Sequence, residues 1–364
     1  MVDQSIADLS GMTARTPGDR EGRARLVLAL LVLLLAATVL FSLASGASDA
    51  SALAVLREWL SGGAGEALST RDRVIIHDIR LPRVVLGVLV GATLAVSGAV
   101  MQGLFRNPLA DPGLVGISSG AGLGAVSVIV LGGTWLAPVT VFLGASTLPL
   151  AAFCGGLACT VILYRIATRQ GRTSVATMLL AGIALAALAM ALTGMLVFMA
   201  DDRQLRDLTF WQLGSLGGAT WQKIGAAGFV MVPALAAMSL LAPGLNALSL
   251  GEATAAHLGV AVQRMKYVAI VGVSAAVGAA VAVSGGIGFV GIVVPHLLRL
   301  VMGPDNRYLL PGSALLGAAL LLLADAFART VAAPAELPIG IVTAALGGPF
   351  FLWILLRRRG IVDL

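Results

Sequence analysis

Stretches of about twenty apolar, uncharged residues recur along the chain, separated by short polar connections, and nothing else in it limits the fold as strongly. A helix needs about 20 such residues to cross the hydrocarbon of a bilayer. Segments of that kind run over about 25–45, 84–104, 114–132, 145–167, 177–200, 222–242, 266–285, 287–302, 309–328 and 338–356. Together they leave little chain for a domain outside the membrane. Hydrophobic residues make up 58% of the 364 and charged residues 12%, a balance no water-soluble core calls for. The pattern predicts an all-α polytopic membrane protein of about ten transmembrane helices. Its parts are a tail over 1–24, a transmembrane domain over 25–358 and a second tail over 359–364.

The chemistry of the spans narrows the function. Their interiors carry almost no ionisable residue, and the ninth holds only Asp325 near its end. Transporters driven by protons keep carboxylates or histidines along the path, so a solute carrier of this composition draws its energy from a partner. No G-x-x-x-x-G-K-[ST] loop occurs, and "GGIGFVG" follows no soluble strand. Glycines in runs such as "SSGAGLGA" are read as close helix packing in lipid. Cys154 and Cys159 read as small packing residues, and His77, His257 and His296 are isolated in sequence. No nucleophile with a base is evident, which speaks against an intramembrane enzyme.

Most of the 24 Lys and Arg fall on the side of the N-terminus, which puts both termini in the cytoplasm. Arg80, Arg83, Arg203, Arg206 and Arg329 stand near helix ends on the other side. Two connections have helical patterns of their own. Residues 245–260 contain Glu252 and a helix-forming run, Ala253 to Leu258, ended by Gly259. Residues 201–221 are too polar to span but hold Leu205, Leu208, Phe210 and Trp211, the pattern of a short helix at the outer mouth.

Six stretches carry a family resemblance. They are "RLPR" at 80–83, "SGAVMQGLFRNPLADPGLVGISSGAGLGA" at 97–125, "WQLGSL" at 211–216, "LGEATAAHLG" at 250–259, "GFVGIVVPHLLRL" at 288–300 and "ADAFARTVAAPAELPIGIVTAALGGPFFLWIL" at 324–355. In this order, over most of the chain, the sequence resembles FecCD-type permease subunits of type II ABC importers, which carry iron-siderophores, haem or cobalamin. The resemblance implies a homodimer in the bacterial inner membrane, with two ATPase subunits below and a periplasmic binding protein above.

By that likeness the chain is a transport subunit and no enzyme. It binds no cofactor, ATP and Mg sit on the partner ATPase, and haem or another iron chelate is the cargo. Arg80, Arg83 and Arg329 would meet carboxylates of the binding protein, for which the guanidinium fork is suited. Asp325, four residues before Arg329, is placed to hold that guanidinium. The elbow "RNPLADPG" would form the inner gate with Asn107 and Leu109, stiffened by Pro108 and Pro112. Glu252, Ala253 and Leu258 would contact the ATPase. Arg206, Phe210 and Trp211 would line the substrate pathway, with Arg206 facing haem propionates. A ferric siderophore or cobalamin is the alternative cargo, and a stand-alone secondary transporter or facilitator is the rival class.

Overall fold

The structure, a computed structural model, describes residues 17–45, 70–170, 172–333 and 335–357. Residues 1–16 and the tail 359–364 lie outside that range. All ten apolar segments are helices, named α1 (Pro17–Ala44), α2 (Thr70–Phe105), α3 (Ile117–Leu131), α4 (Thr147–Ala167) and α5 (Val175–Met199) in the first half. Short helices among the rest include α6 (Asp202–Leu213), α8 (Ala242–Ser249) and α9 (Glu252–His257), besides a seven-residue piece over Ala137–Leu143. The remaining long elements are α7 (Trp221–Ser239), α10 (Val262–Ser284), α11 (Val290–Met302), α12 (Asn306–Val331) and α13 (Ile339–Arg357). A two-residue antiparallel ladder, Thr168 with Thr173 and Arg169 with Arg172, closes the turn after α4.

Cross-links between helix ends define two faces. The end of α2, the starts of α1, α10 and α12, and α8 and α9 share the lower face. The start of α2, α6, and the ends of α1, α10 and α12 share the upper one. α2, α10 and α12 form the buried centre. Their small residues allow backbones to touch: a Cβ on Gly91 or on Gly317 would collide with the other's carbonyl, and one on Gly98 would strike the Gly291 carbonyl. α1 and α5 lie outside, with Leu33, Leu180 and Phe198 exposed, a wall that lipid and not water can cover.

Two expected spans begin deep in the molecule. Gly285 and Phe289 both have left-handed φ, 69° and 67°, and break the chain between α10 and α11. Because Gly291 packs on Gly98, α11 starts roughly 10 Å along α2 from its Phe105 end. At 13 residues α11 is about 20 Å long, and α3, with 15 residues, about 22 Å. Neither alone spans about 30 Å of hydrocarbon. Among the described residues, seven helices are long and apolar enough to cross a membrane, while α3, α11 and the apolar part of α13 are shorter.

Candidate functional site

At the upper face the three arginines of the expected docking rim turn inward. Arg80, Arg83 and Arg329 are 4%, 7% and 8% exposed. Arg83 grips Asp325 with Nε, 3.1 Å from both carboxylate oxygens, and with Nη2, 2.9 Å from Oδ1. Its Nη1 donates to Glu336 Oε1 at 2.8 Å. Arg329 Nε lies 3.1 Å from Asp325 Oδ2, the pairing that the four-residue spacing suggests. Its other nitrogens donate to Ser42 Oγ at 2.9 Å and the Ser45 carbonyl at 3.0 Å. Arg80 Nη1 donates to the Leu43 carbonyl at 2.7 Å. Buried charge is tolerated only when paired and hydrogen-bonded, and here the pairing fastens α1, α2 and α12 together. Only Glu336 reaches outward, with its side chain 47% exposed.

Beside this network α6 forms as a short amphipathic helix. Asp201 and Gln204 make a capping box that satisfies its first donors. Gln204 Nε2 also donates to the Val130 carbonyl at 3.2 Å and anchors α6 on α3. Phe210 and Trp211 line a cavity of about 370 Å³ between α6, α4 and the end of α10. Lys223, in the first turn of α7, lines it too, its Nζ donating to the Gly218 carbonyl at 2.8 Å. Arg206 is exposed on α6 and does not line this cavity. The sequence pattern does not single out Lys223; its nearest signal is the Thr220 N-cap that starts α7 right after the loop.

The elbow after α2 is built by side chains that cap its turns. Arg106 ends the helix in the left-handed region, φ 50°. Asn107 Oδ1 accepts from Leu109 N at 3.0 Å; Asn107 is exposed and Leu109 half-buried. Asp111 Oδ1 accepts from Gly113 N at 2.7 Å and caps a 3-10 turn, Pro112–Val115. Asp111 also faces Gly291, Ser118 and Phe289 across a small cavity, so elbow and broken helix meet at depth. Gln102 holds the two sides together, donating to the Gly291 carbonyl at 3.2 Å and accepting from Arg299 Nη1.

On the lower face α9 projects as expected. Ala253 and Leu258 are exposed, while Ala255 faces inward. Gly259, at φ 84°, closes the helix as its position suggests. Glu252 is held by Lys266 Nζ at 2.6 Å, and the same ammonium donates to the Thr173 carbonyl at 3.0 Å. Gln263 Oε1 accepts from Thr173 N at 2.9 Å. α8 is joined to α12 through Asn246, which donates to Asp305 at 2.6 Å and accepts from Asn306 Nδ2 at 2.7 Å. Among the described residues no three His, Cys, Asp or Glu gather as a metal group would require. Both cysteines are free thiols, Cys159 buried and Cys154 exposed.

A helical membrane core with a cavity at one face, a re-entrant elbow and an outward short helix at the other defines a transport permease with the type II ABC importer fold. The chain belongs to the FecCD transport family, which it matches over residues 11–357. As such it is an inner-membrane multi-pass transport subunit, without ATPase activity of its own. It is 47% identical over 337 residues to the hemin transport system permease protein HmuU of Yersinia pestis, covering 92% of this chain and 96% of that one. It is 43% identical over 344 residues to the vitamin B12 import system permease protein BtuC of Salmonella paratyphi A, covering 94% and 98%. It is 47% identical over 287 residues to the cobalamin import system permease protein BtuC of Halobacterium salinarum, covering 79% and 74%. A solved structure described as an inward-facing conformation of a metal-chelate type ABC transporter superposes with a TM-score of 0.77. The identity is 31%, over 91% of this chain and 99% of that one.

Proposed function

We propose that this chain is the permease of an ATP-driven importer that carries a metal chelate from the periplasm to the cytoplasm, working as a homodimer. The lower face is cytoplasmic, both termini lie on that side, and two ATPase subunits seat on α9 through Ala253, Leu258 and the carboxylate of Glu252. The observation that carries this reading is the geometry of α9: an exposed helix clamped by a buried ammonium to α10 and to the turn after α4. A push on α9 reaches two core elements without first melting a loop. The elbow with Asn107 and Leu109 is the proposed inner gate, driven through Gln102 and α11.

A periplasmic binding protein docks on the upper face. Arg83 is the centre of that proposal, because half-exposed Glu336 occupies its Nη1 and a partner carboxylate would take the same place. Arg80 and Arg329 support the seat from within. For the cargo, cobalamin has better support than haem. The hemin permease stands among relatives of similar identity that import cobalamin or vitamin B12. Arg206 is exposed on α6 and does not line the cavity beside Phe210 and Trp211, so that cavity adds no support for haem. An uncharged wall of small residues suits a bulky corrinoid that must slide without a fixed ligand.

The complete importer in proteoliposomes tests this with cyanocobalamin, hemin and a ferric siderophore. Uptake of cyanocobalamin that needs ATP inside and binding protein outside is expected. Hemin uptake that collapses in Arg206→Ala would restore the haem reading, and uptake by the permease alone would make the chain a facilitator.

A further inference from the structure

A polar cavity of about 590 Å³ opens on the lower face between the start of α1, the end of α11 and the start of α12. Arg23, Arg299 and Arg307 line it, with Ser249 and Tyr308. Its two carboxylates are already engaged: Glu21 accepts from Arg25 at 2.6 Å and Tyr308 Oη at 2.8 Å, and Asp305 accepts from Asn246 and from Arg307 N. Arg299 gives one nitrogen to Gln102. Among the described residues, neither Arg23 nor Arg307 has a carboxylate oxygen within salt-bridge distance of its guanidinium, although Arg307 still feels the charge of Glu21 across the cavity. Leu300 and Val301 form part of the same cavity and are 60% and 42% exposed. Leu26 and Leu30 extend an apolar strip along α1 from the same rim.

We propose that this cavity seats the phosphate headgroup of an anionic phospholipid of the adjoining leaflet. Arginine forks unmatched by carboxylate bind phosphate oxygens well, and basic pockets between membrane helices on the cytoplasmic side suit such headgroups. The apolar strip continues the lipid-facing wall of α1, so the arginines at its rim already stand among phospholipids. A phospholipid sets its phosphate on the arginines and its chains along Leu300, Val301, Leu26 and Leu30. Because the cavity joins α1 to the Asn246–Asp305 link beneath α8, a bound headgroup braces the base of the segment that leads into α9.

The test reconstitutes the full chain into nanodiscs of phosphatidylcholine with a minor share of phosphatidylglycerol and counts retained lipids by native mass spectrometry after extraction. Arg23→Gln/Arg307→Gln is compared with Arg165→Gln/Arg169→Gln, which removes the same charge from exposed lower-face positions outside the cavity. Preferential phosphatidylglycerol retention is expected, falling roughly 30-fold in the first variant and holding in the second. Unfolding midpoints in pure phosphatidylcholine check that the first variant is folded, and Arg307→Lys, which keeps the charge, should keep the lipid. Equal loss in both double variants would reduce the effect to bulk charge and overturn the site. Release by inorganic phosphate alone would make it a free-anion site, and unchanged retention with weakened ATPase binding would make it a protein contact; either overturns the lipid assignment.

Discussion

Lys266, 2% exposed, holds Glu252 Oε1 at 2.6 Å and the Thr173 carbonyl at 3.0 Å, so one buried ammonium joins α9, α10 and the turn after α4. The two ends of α9 therefore have different jobs. Glu252 mainly anchors the helix to the permease and keeps only the exposed part of its carboxylate for the ATPase, while Leu258, 63% exposed, is wholly given to the partner. Glu252→Gln should lower unfolding stability by about 1–3 kcal/mol, since the carboxylate is half-exposed but its loss leaves the buried Lys266 ammonium with only the Thr173 carbonyl. Leu258→Asp should leave stability unchanged and weaken ATPase association. Thermal unfolding and pull-down of the ATPase separate the two, and a stability loss in the Leu258 variant without a binding loss would reverse the assignment.

The arginine network makes a graded prediction at the upper face. Asp325, 1% exposed, faces both Arg83 and Arg329, so Asp325→Asn takes the shared carboxylate from two buried cations, leaving Arg83 only the half-exposed Glu336, and should cost about 3–5 kcal/mol. Glu336→Gln removes a half-exposed partner and should cost under about 1 kcal/mol. It should also speed docking of the binding protein by opening Arg83 Nη1 to an incoming carboxylate. Denaturation and stopped-flow docking check both halves, and slower docking by Glu336→Gln would make Glu336 itself part of the seat.

Much of this was legible in sequence because membrane helices announce themselves by length and composition. α6 was legible from the polar start at Asp201 ahead of Leu205 and Leu208, and α9 from its helix formers and Gly259. The break near 285–289 was legible as the gap between two segments, but its depth was not, because an uncharged glycine-rich run reads alike whether it turns at the surface or crosses inside as extended chain. Arg83 and Asp325 are 242 residues apart, and nothing local to either tells whether an arginine at a helix end faces inward or outward. The Lys266–Glu252 clamp was hidden likewise, since a lysine at the start of a span reads as an interfacial anchor.

Helix contact through glycine gives a third prediction. Gly98→Ala forces a methyl into the Gly291 carbonyl and should destabilise by about 1–3 kcal/mol or block assembly. Gly122→Ala meets nothing within 4 Å and should be neutral, or stabilising by up to about 1 kcal/mol through helix propensity. Unfolding midpoints of the two variants in one detergent decide the matter. Similar losses at both positions would mean that α2 and α11 are not in backbone contact.

The elbow supplies the last prediction. Asp111 Oδ1 satisfies the Gly113 N–H at 2.7 Å, an N-cap on the turn that carries the chain from Asn107 to α3. Asparagine keeps that acceptor without the charge, whereas alanine leaves the donor unmet and opens a gap toward Gly291. Asp111→Asn should therefore fold and transport nearly as the parent does. Asp111→Ala should lose about 1 kcal/mol and should show ATP hydrolysis less tightly coupled to uptake, because the elbow no longer moves with α11. Measuring hydrolysis and uptake in the same proteoliposomes tests this directly. If Asn fails as badly as Ala, the charge of Asp111 and not its capping bond is what the elbow uses, and the mechanical link through Gly113 is wrong.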